Sequence, residues 1–322
     1  MTTHQDIQTD CALIALDWGT SSLRCYRFDH NGQVIERRAH PWGIMNLPAV
    51  EHGEDAHAPY RVALQAACGD WLEAAPQAPL IAAGMVGSKQ GWREAAYLNV
   101  PLSPDLIGSK LTEVDTGLGR PLWIVPGLLQ ASTLPNVMRG EETQVIGALQ
   151  TRHERELLIG LPGTHSKWVR VVAGRIEHFD TFMTGEVYGA LCAHTILGRT
   201  MHKPDAADDA AFLRGARVAL GPEGKSGVLS NIFSSRTLGL TGELAAEAQP
   251  DYLSGLLIGH ELAALKTLYP AQAPAIVLIG DAGLCRRYQL ALDLFGLGPV
   301  SQADAATEVG LWVLARHAGL VA

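Results

Sequence analysis

The sequence predicts an α/β protein built from two copies of one domain. Two observations carry that expectation. The stretch Leu13-Ile14-Ala15-Leu16-Asp17-Trp18-Gly19-Thr20-Ser21-Ser22 is a short apolar run that ends in an acid, a glycine and a row of hydroxyls. Leu157-Leu158-Ile159-Gly160-Leu161-Pro162-Gly163-Thr164-His165-Ser166-Lys167 repeats it 144 residues later, so that Gly19 meets Gly163, Thr20 meets Thr164 and Ser22 meets Ser166. Each run reads as a buried strand, because aliphatic residues are bounded by turn formers. Both copies continue into a second apolar segment, Leu23 to Phe28 and Trp168 to Val172. Both then reach a glycine turn and a third short strand, Val34-Ile35 and Arg175-Ile176. One unit used twice is the signature of a duplicated domain.

The remaining elements follow in order. Residues 1–10 read as a polar, disordered tail. Tyr60 to Leu72 has helical apolar spacing, and Pro76 and Pro79 close it ahead of a buried strand at Leu80-Ile81-Ala82-Ala83. Residues 95–135, rich in Pro and Gly, suit irregular chain with short strands such as Leu122 to Pro126. Glu142 to Leu149 reads as the helix that leaves the first domain, residues 1–150. In the second, residues 151–322, helices are expected at Gly185–Leu197, Asp205–Leu213, Tyr252–Leu268 and Ala303–Ala318.

Composition narrows the class. A hydrophobic content of 47% over 322 residues suits a substantial core, and a net charge of −8 disfavours nucleic acid and anionic membranes as partners. The cysteines, at 11, 25, 68, 192 and 285, show no Cys-x-x-Cys spacing, so neither a disulfide framework nor a zinc site is expected. With no signal-like start and no membrane-length apolar stretch, the chain reads as cytoplasmic. A homodimer is left open.

The repeated loops carry chemistry. Gly19 and Gly163 let backbone approach a ligand, and Thr20, Ser21, Ser22, Thr164 and Ser166 can donate to phosphate oxygens. Asp17 can hold a divalent cation, and Leu161 stands where a second such acid would be. Two hydroxyl loops and one carboxylate suit a metal–polyphosphate. Lys167 adds a cation beside the second loop, with His165 inside it. Gly84-Met85-Val86-Gly87-Ser88-Lys89-Gln90-Gly91-Trp92 suits a small polyol, and Lys89 or Arg93 could pair with a carboxylate on it. Gly221 to Ser226 is no P-loop, because Ala219 stands where its first glycine belongs.

Asp17-x-Gly19-Thr20, Gly163-Thr164 and the strand–turn Ala275-Ile276-Val277-Leu278-Ile279-Gly280-Asp281-Ala282-Gly283 resemble the phosphate and adenosine motifs of the sugar kinase, hsp70 and actin superfamily. Four blocks resemble its 2-dehydro-3-deoxygalactonokinase family: Leu16 to Ser21, Gly84 to Ser88 with Gly91-Trp92, Met138 to Gln144, and Leu161 to Trp168. The resemblance implies two ribonuclease H-like domains around a central cleft, with the final helix packing back toward the first domain. It implies ATP and Mg²⁺, the metal on Asp17. The nucleotide would meet Gly19, Thr20, Ser21, Ser22, Gly163, Thr164, His165, Ser166, Lys167, Gly280, Ala282 and Gly283. A sugar acid, 2-dehydro-3-deoxy-D-galactonate, would meet Gly84, Met85, Ser88, Lys89, Trp92 and Arg139 and take the phosphoryl group on its 6-hydroxyl. Related kinases place an aspartate base where this chain has Glu141 and Glu142. Two adjacent helical residues point about 100° apart, so one faces the sugar and the other caps the helix. Glu141, nearer the loop, is slightly preferred. The rivals are a kinase for another sugar acid, an ATP- or polyphosphate-hydrolysing protein of the same fold, and a silent sugar-binding regulator.

Overall fold

The computed structural model describes residues 11–50, 55–269 and 274–322. The expected polar tail, 1–10, lies outside them. The chain divides into two compact units. The first is the chain up to Arg155 together with Val172–His178 and Asp304–Ala322, and the second is Glu156–Val171 with Phe179–Ala303.

The first unit opens with β1 (Leu13–Trp18), β2 (Leu23–Phe28) and β3 (Val34–His40), then α1 (Ala58–Ala74) and β4 (Leu80–Ala83). The Pro/Gly-rich stretch supplies β5 (Tyr97–Asn99), a short α2 (Pro104–Gly108), β6 (Thr112–Asp115), β7 (Pro121–Ile124), β8 (Gly127–Gln130) and β9 (Asn136–Met138). Helix α3 (Glu141–Leu149) follows. The main sheet runs β3-β2-β1-β4-β7-β6, with β1 antiparallel to β2 and parallel to β4. β1 is central, which is why its run is apolar on both faces: Leu13, Ile14, Ala15, Leu16 and Trp18 are all fully buried. Ile14 and Leu16 share a core with Leu64, Ala67 and Trp71 of α1.

The second unit's strands are β10 (Glu156–Leu161), β11 (Ser166–Val172) and β12 (Arg175–Phe182). Its helices are α4 (Thr184–His194), α5 (Asp209–Val218), α6 (Val228–Asn231), α7 (Ser234–Leu240) and α8 (Gln249–Leu268). Next come β13 (Ala275–Leu278), α9 (Ala282–Phe295), β14 (Val300–Gln302) and α10 (Ala306–His317). This sheet runs β12-β11-β10-β13-β14, with β10, β13 and β14 parallel. That order repeats β3-β2-β1-β4-β7, so the duplicated α/β expectation holds at the level of topology.

Some boundaries move. α5 begins at Asp209, not Asp205, because the Asp208 carboxylate accepts the Ala211 N–H (2.9 Å) and so sets the N-cap. It runs on to Val218. α4 stops at His194. α10 belongs to the first unit and packs on α3 through two glycines. A Cβ on Gly147 would stand 1.9 Å from the Ala306 carbonyl oxygen, and one on Gly310 would stand 1.9 Å from that of Thr143.

Candidate active site

In the first unit the candidate residues gather at the carboxyl ends of parallel strands, the edge at which open α/β sheets take ligands. Asp17, near the end of β1, pairs across the sheet with Ala83, the end of β4. Gly84 to Ser88 therefore start beside it. The Asp17 side chain is 21% exposed and accepts a hydrogen bond from Arg24 Nη1 at 3.0 Å. Burial raises its pKa, and the Arg24 guanidinium opposes that shift. The Gly19 N–H donates to the Ser22 carbonyl (2.9 Å), which closes the turn and leaves Thr20 and Ser21 exposed at its tip. Gly43 supports the loop from below and escaped the sequence reading. A Cβ there would stand 2.3 Å from the Ser21 nitrogen, and its neighbour Ile44 donates to the Gly19 carbonyl. A lone glycine after Trp42 gives no periodic signal that would have flagged it.

Gly84 to Trp92 is the loop expected to meet the acceptor. Met85–Gly87 form a tight 3₁₀ turn, Ser88 is nearly buried, and Lys89 is exposed. Trp92, expected at the acceptor, is 2% exposed, stacked on Tyr60 at 5.4 Å and set edge-on to Trp18 at 6.0 Å, so its ring packs into the core behind the loop. Arg139 is 8% exposed and lies 4.4 Å over the Tyr97 ring. Its Nη2 donates to the Ala95 carbonyl, while Nε and Nη1 have no hydrogen-bond partner among the described residues.

The two glutamates differ sharply. Glu142 is fully buried, and both its carboxylate oxygens accept the Gly140 N–H, at 2.9 and 2.7 Å. Burial, with Glu141 alongside, pushes its pKa up to about 8. Its carboxyl is sealed under the chain and caps the turn that enters α3. Glu141 is half-buried and accepts the Arg139 N–H at 3.0 Å.

In the second unit Gly163, Thr164 and His165 form the loop after β10, with Thr164 and His165 exposed. His165 Nε2 lies 2.5 Å from Glu186 Oε2, and the Glu186 N–H donates to the Thr164 carbonyl. The loop thus lies on the first turn of α4. Ser166, expected at the nucleotide, is turned inward. It is 1% exposed, and its hydroxyl lies 2.9 Å from Tyr288 Oη instead of facing outward. Strand alternation explains this, because Ser166 shares the inward face of β11 with Trp168. Lys167 is 5% exposed. Gly280 closes on the same loop, since a Cβ on it would stand 3.2 Å from the Pro162 carbonyl. Ala282 and Gly283 are exposed in the first turn of α9, which Asp281 caps by accepting the Leu284 N–H. Beside these loops lies a largely apolar cavity of about 220 Å³, walled by Gly163, Thr184, Tyr188, Leu257, Leu284 and Arg287. Thr184, Tyr188, Leu257 and Arg287 were not among the expected site residues. They lie on helices, where no loop motif marks them.

A metal can be tested against these side chains. Among the described residues no group of three His, Cys, Asp or Glu could hold a metal ion alone. Mg²⁺ commonly takes one or two carboxylates and completes its shell with water and substrate phosphates, and Asp17 is a carboxylate of the kind it takes. Burial favours the neutral form of Asp17, and a nearby cation would oppose that shift as Arg24 does.

Comparison with known proteins then places the chain. A family model for 2-keto-3-deoxy-galactonokinase matches residues 17–314. The 2-dehydro-3-deoxygalactonokinase of Escherichia coli K12 is 36% identical over 307 residues, 94% of this chain and 97% of that protein. A Rhizobium meliloti protein provisionally named for the same activity is 35% identical over 94% of this chain and 96% of its own. A crystal structure of a Sinorhizobium meliloti protein, also provisionally so named, superposes with a TM-score of 0.82 at 35% identity, covering 94% of this chain and 98% of that one.

Proposed function

The chain belongs to the 2-keto-3-deoxy-galactonokinase family, and on that premise we propose that it transfers the γ-phosphoryl group of ATP to the 6-hydroxyl of 2-dehydro-3-deoxy-D-galactonate, a step of D-galactonate breakdown in the cytoplasm. The observation that carries this reading is a match over 94% of this chain and 97% of a kinase of that name. No described helix is long and apolar enough to cross a membrane.

The two units divide the work. The second unit holds ATP. The Gly163-Thr164-His165 loop offers backbone N–H groups and a hydroxyl to the phosphates, and the cavity beside α9 takes the base. The first unit holds the acceptor on Gly84 to Lys89. Asp17 would hold Mg²⁺, which supplies charge neutralisation on the phosphoryl oxygens when bound. Thr20 and Ser21, exposed at the tip of the first unit's loop, offer hydroxyls suited to phosphate oxygens. Glu141, the more accessible of the two glutamates, accepts the proton of the attacking hydroxyl. Arg139 brings a positive charge to the acceptor loop, where Gly87 packs on its Nη1.

ADP release with and without candidate sugar acids tests this. Turnover should depend on 2-dehydro-3-deoxy-D-galactonate. Equal hydrolysis in its absence would favour an ATP hydrolase, and faster turnover with a different sugar acid would reassign the acceptor.

A further inference from the structure

The second unit contains a buried acid that the reaction does not use. Glu261 projects from the middle of α8 and is 3% exposed. It accepts hydrogen bonds from Trp168 Nε1 at 2.7 Å, Tyr288 Oη at 2.8 Å and Thr184 Oγ1. Tyr288 Oη also lies 2.9 Å from Ser166 Oγ.

These partners are not scattered. Ser166 and Trp168 begin β11, directly after the Gly163-Thr164-His165 loop. Thr184 is the first residue of α4, whose first turn carries that loop, and it also lines the cavity. Tyr288 lies on α9, which starts at the Ala282-Gly283 turn, and lines the cavity as well. One carboxylate therefore ties together the three elements that bring the phosphate loop, the adenosine turn and the cavity wall to one place. Stability alone gives no reason for it. A buried ionisable group is costly, and well-packed apolar side chains commonly serve a core as well or better. What a carboxylate adds is direction, because its acceptor sites fix several donors at set angles.

We infer that Glu261 is a positioning residue for the nucleotide, a clamp that sets the spacing of the phosphate loop, α4 and α9 without touching ATP. The inference rests on the reading that the second unit binds ATP. Glu261→Gln keeps the size of the side chain but leaves one acceptor oxygen for three donors. Thr184→Val cuts the same clamp from the α4 end and spares the buried carboxylate.

Steady-state kinetics on the full chain, varying ATP and acceptor separately, reads the effect. Each variant should raise the KM for ATP by about tenfold, equivalent to ~1.4 kcal/mol, and leave the KM for the acceptor within about twofold. An unchanged KM for ATP in a folded variant overturns the clamp. So does an equal rise in both KM values, which marks general loosening. If Glu261→Gln fails to fold, Thr184→Val carries the test. Thr164→Val, in the loop itself, separates the two readings. If it weakens ATP while the clamp variants do not, the clamp is wrong and the nucleotide assignment stands. If none of the three affects ATP, the assignment falls and the clamp falls with it.

Discussion

Gly140 and Gly84 meet backbone to backbone: a Cβ on Gly140 would stand 3.3 Å from the Gly84 Cα. Gly84 in turn presses on β1, where its own Cβ would stand 2.8 Å from the Trp18 carbonyl oxygen. Three segments thus converge with no side chain between them: the end of β1, the turn after β4 and the start of α3. This contact brings Asp17, the Gly84–Ser88 turn and Glu141 to one edge of the first sheet. Both glycines have positive φ, 97° at Gly84 and 104° at Gly140, a region that L side chains avoid.

Gly140→Ala should therefore damage both the fold and the chemistry. Strain at such a φ costs roughly 1–3 kcal/mol, and relief requires moving α3 away from Gly84. The melting temperature should fall, and kcat should fall more than the KM for ATP rises. A variant with the parent's melting temperature would mean that the chain relaxes freely here and that the contact positions nothing.

Asp17→Asn should remove most turnover while the protein stays folded. The amide keeps the shape and can still meet Arg24, but it loses the charge proposed to hold the metal. Losing metal-assisted charge stabilisation is worth several kcal/mol in the barrier, and each ~1.4 kcal/mol is tenfold in rate. Turnover measured across a Mg²⁺ titration checks this. Near-parental kcat at saturating Mg²⁺ would remove Asp17 from the mechanism.

The strands that bear the loops were legible because a central parallel strand must be apolar on both faces, and β1 and β10 are. The duplication was legible because spacing survives where residue identity does not. Less legible were the roles of individual side chains within the motifs. Trp92 and Ser166 sit in loop-like sequence, yet strand alternation and aromatic packing turn both inward. Glu141 and Glu142 are adjacent in sequence and chemically alike, and only the direction of each bond from the turn at Gly140 separates them. The cavity walls contributed by α4, α8 and α9 are brought together by tertiary packing, which leaves no local pattern.

Lys89→Met should weaken the acidic acceptor far more than ATP. Lys89 is exposed on the acceptor loop, whereas Arg139 is buried against Tyr97. A hydrogen bond between a lysine and a carboxylate contributes about 1.5–3 kcal/mol, so the KM for the sugar acid should rise roughly tenfold to a hundredfold. An acceptor KM that does not move would shift the anion partner to Arg93 or Arg139, and Arg139→Met would then show the effect.

Glu141→Gln and Glu142→Gln should separate chemistry from stability. Glu141 is the accessible carboxylate, so its amide should lower kcat by about 10², the low end for general-base assistance, because phosphoryl transfer has a loose transition state. Glu142 is sealed under the chain, and its main effect should be on the pH dependence of folding. Its pKa is raised from 4.5 in the unfolded chain to about 8 in the native protein. Between those values the native state holds a proton that the unfolded state has lost, so stability falls as pH rises through that window. A glutamine cannot titrate. The melting temperature of Glu142→Gln should therefore drop less than the parent's between about pH 5 and about pH 8, whereas Glu141→Gln, which removes only the neighbouring charge that adds to the effect of burial, should keep most of the parent's slope. Some slope should survive in both variants, because burial also pushes Glu261 up, to about 7, and it contributes in the same direction. Melting curves across this range, set beside kcat at saturating ATP and acceptor, decide the assignment. If Glu142→Gln loses kcat and keeps the parent's pH slope, Glu142 is the group that ionises and acts, and its cover must open during turnover.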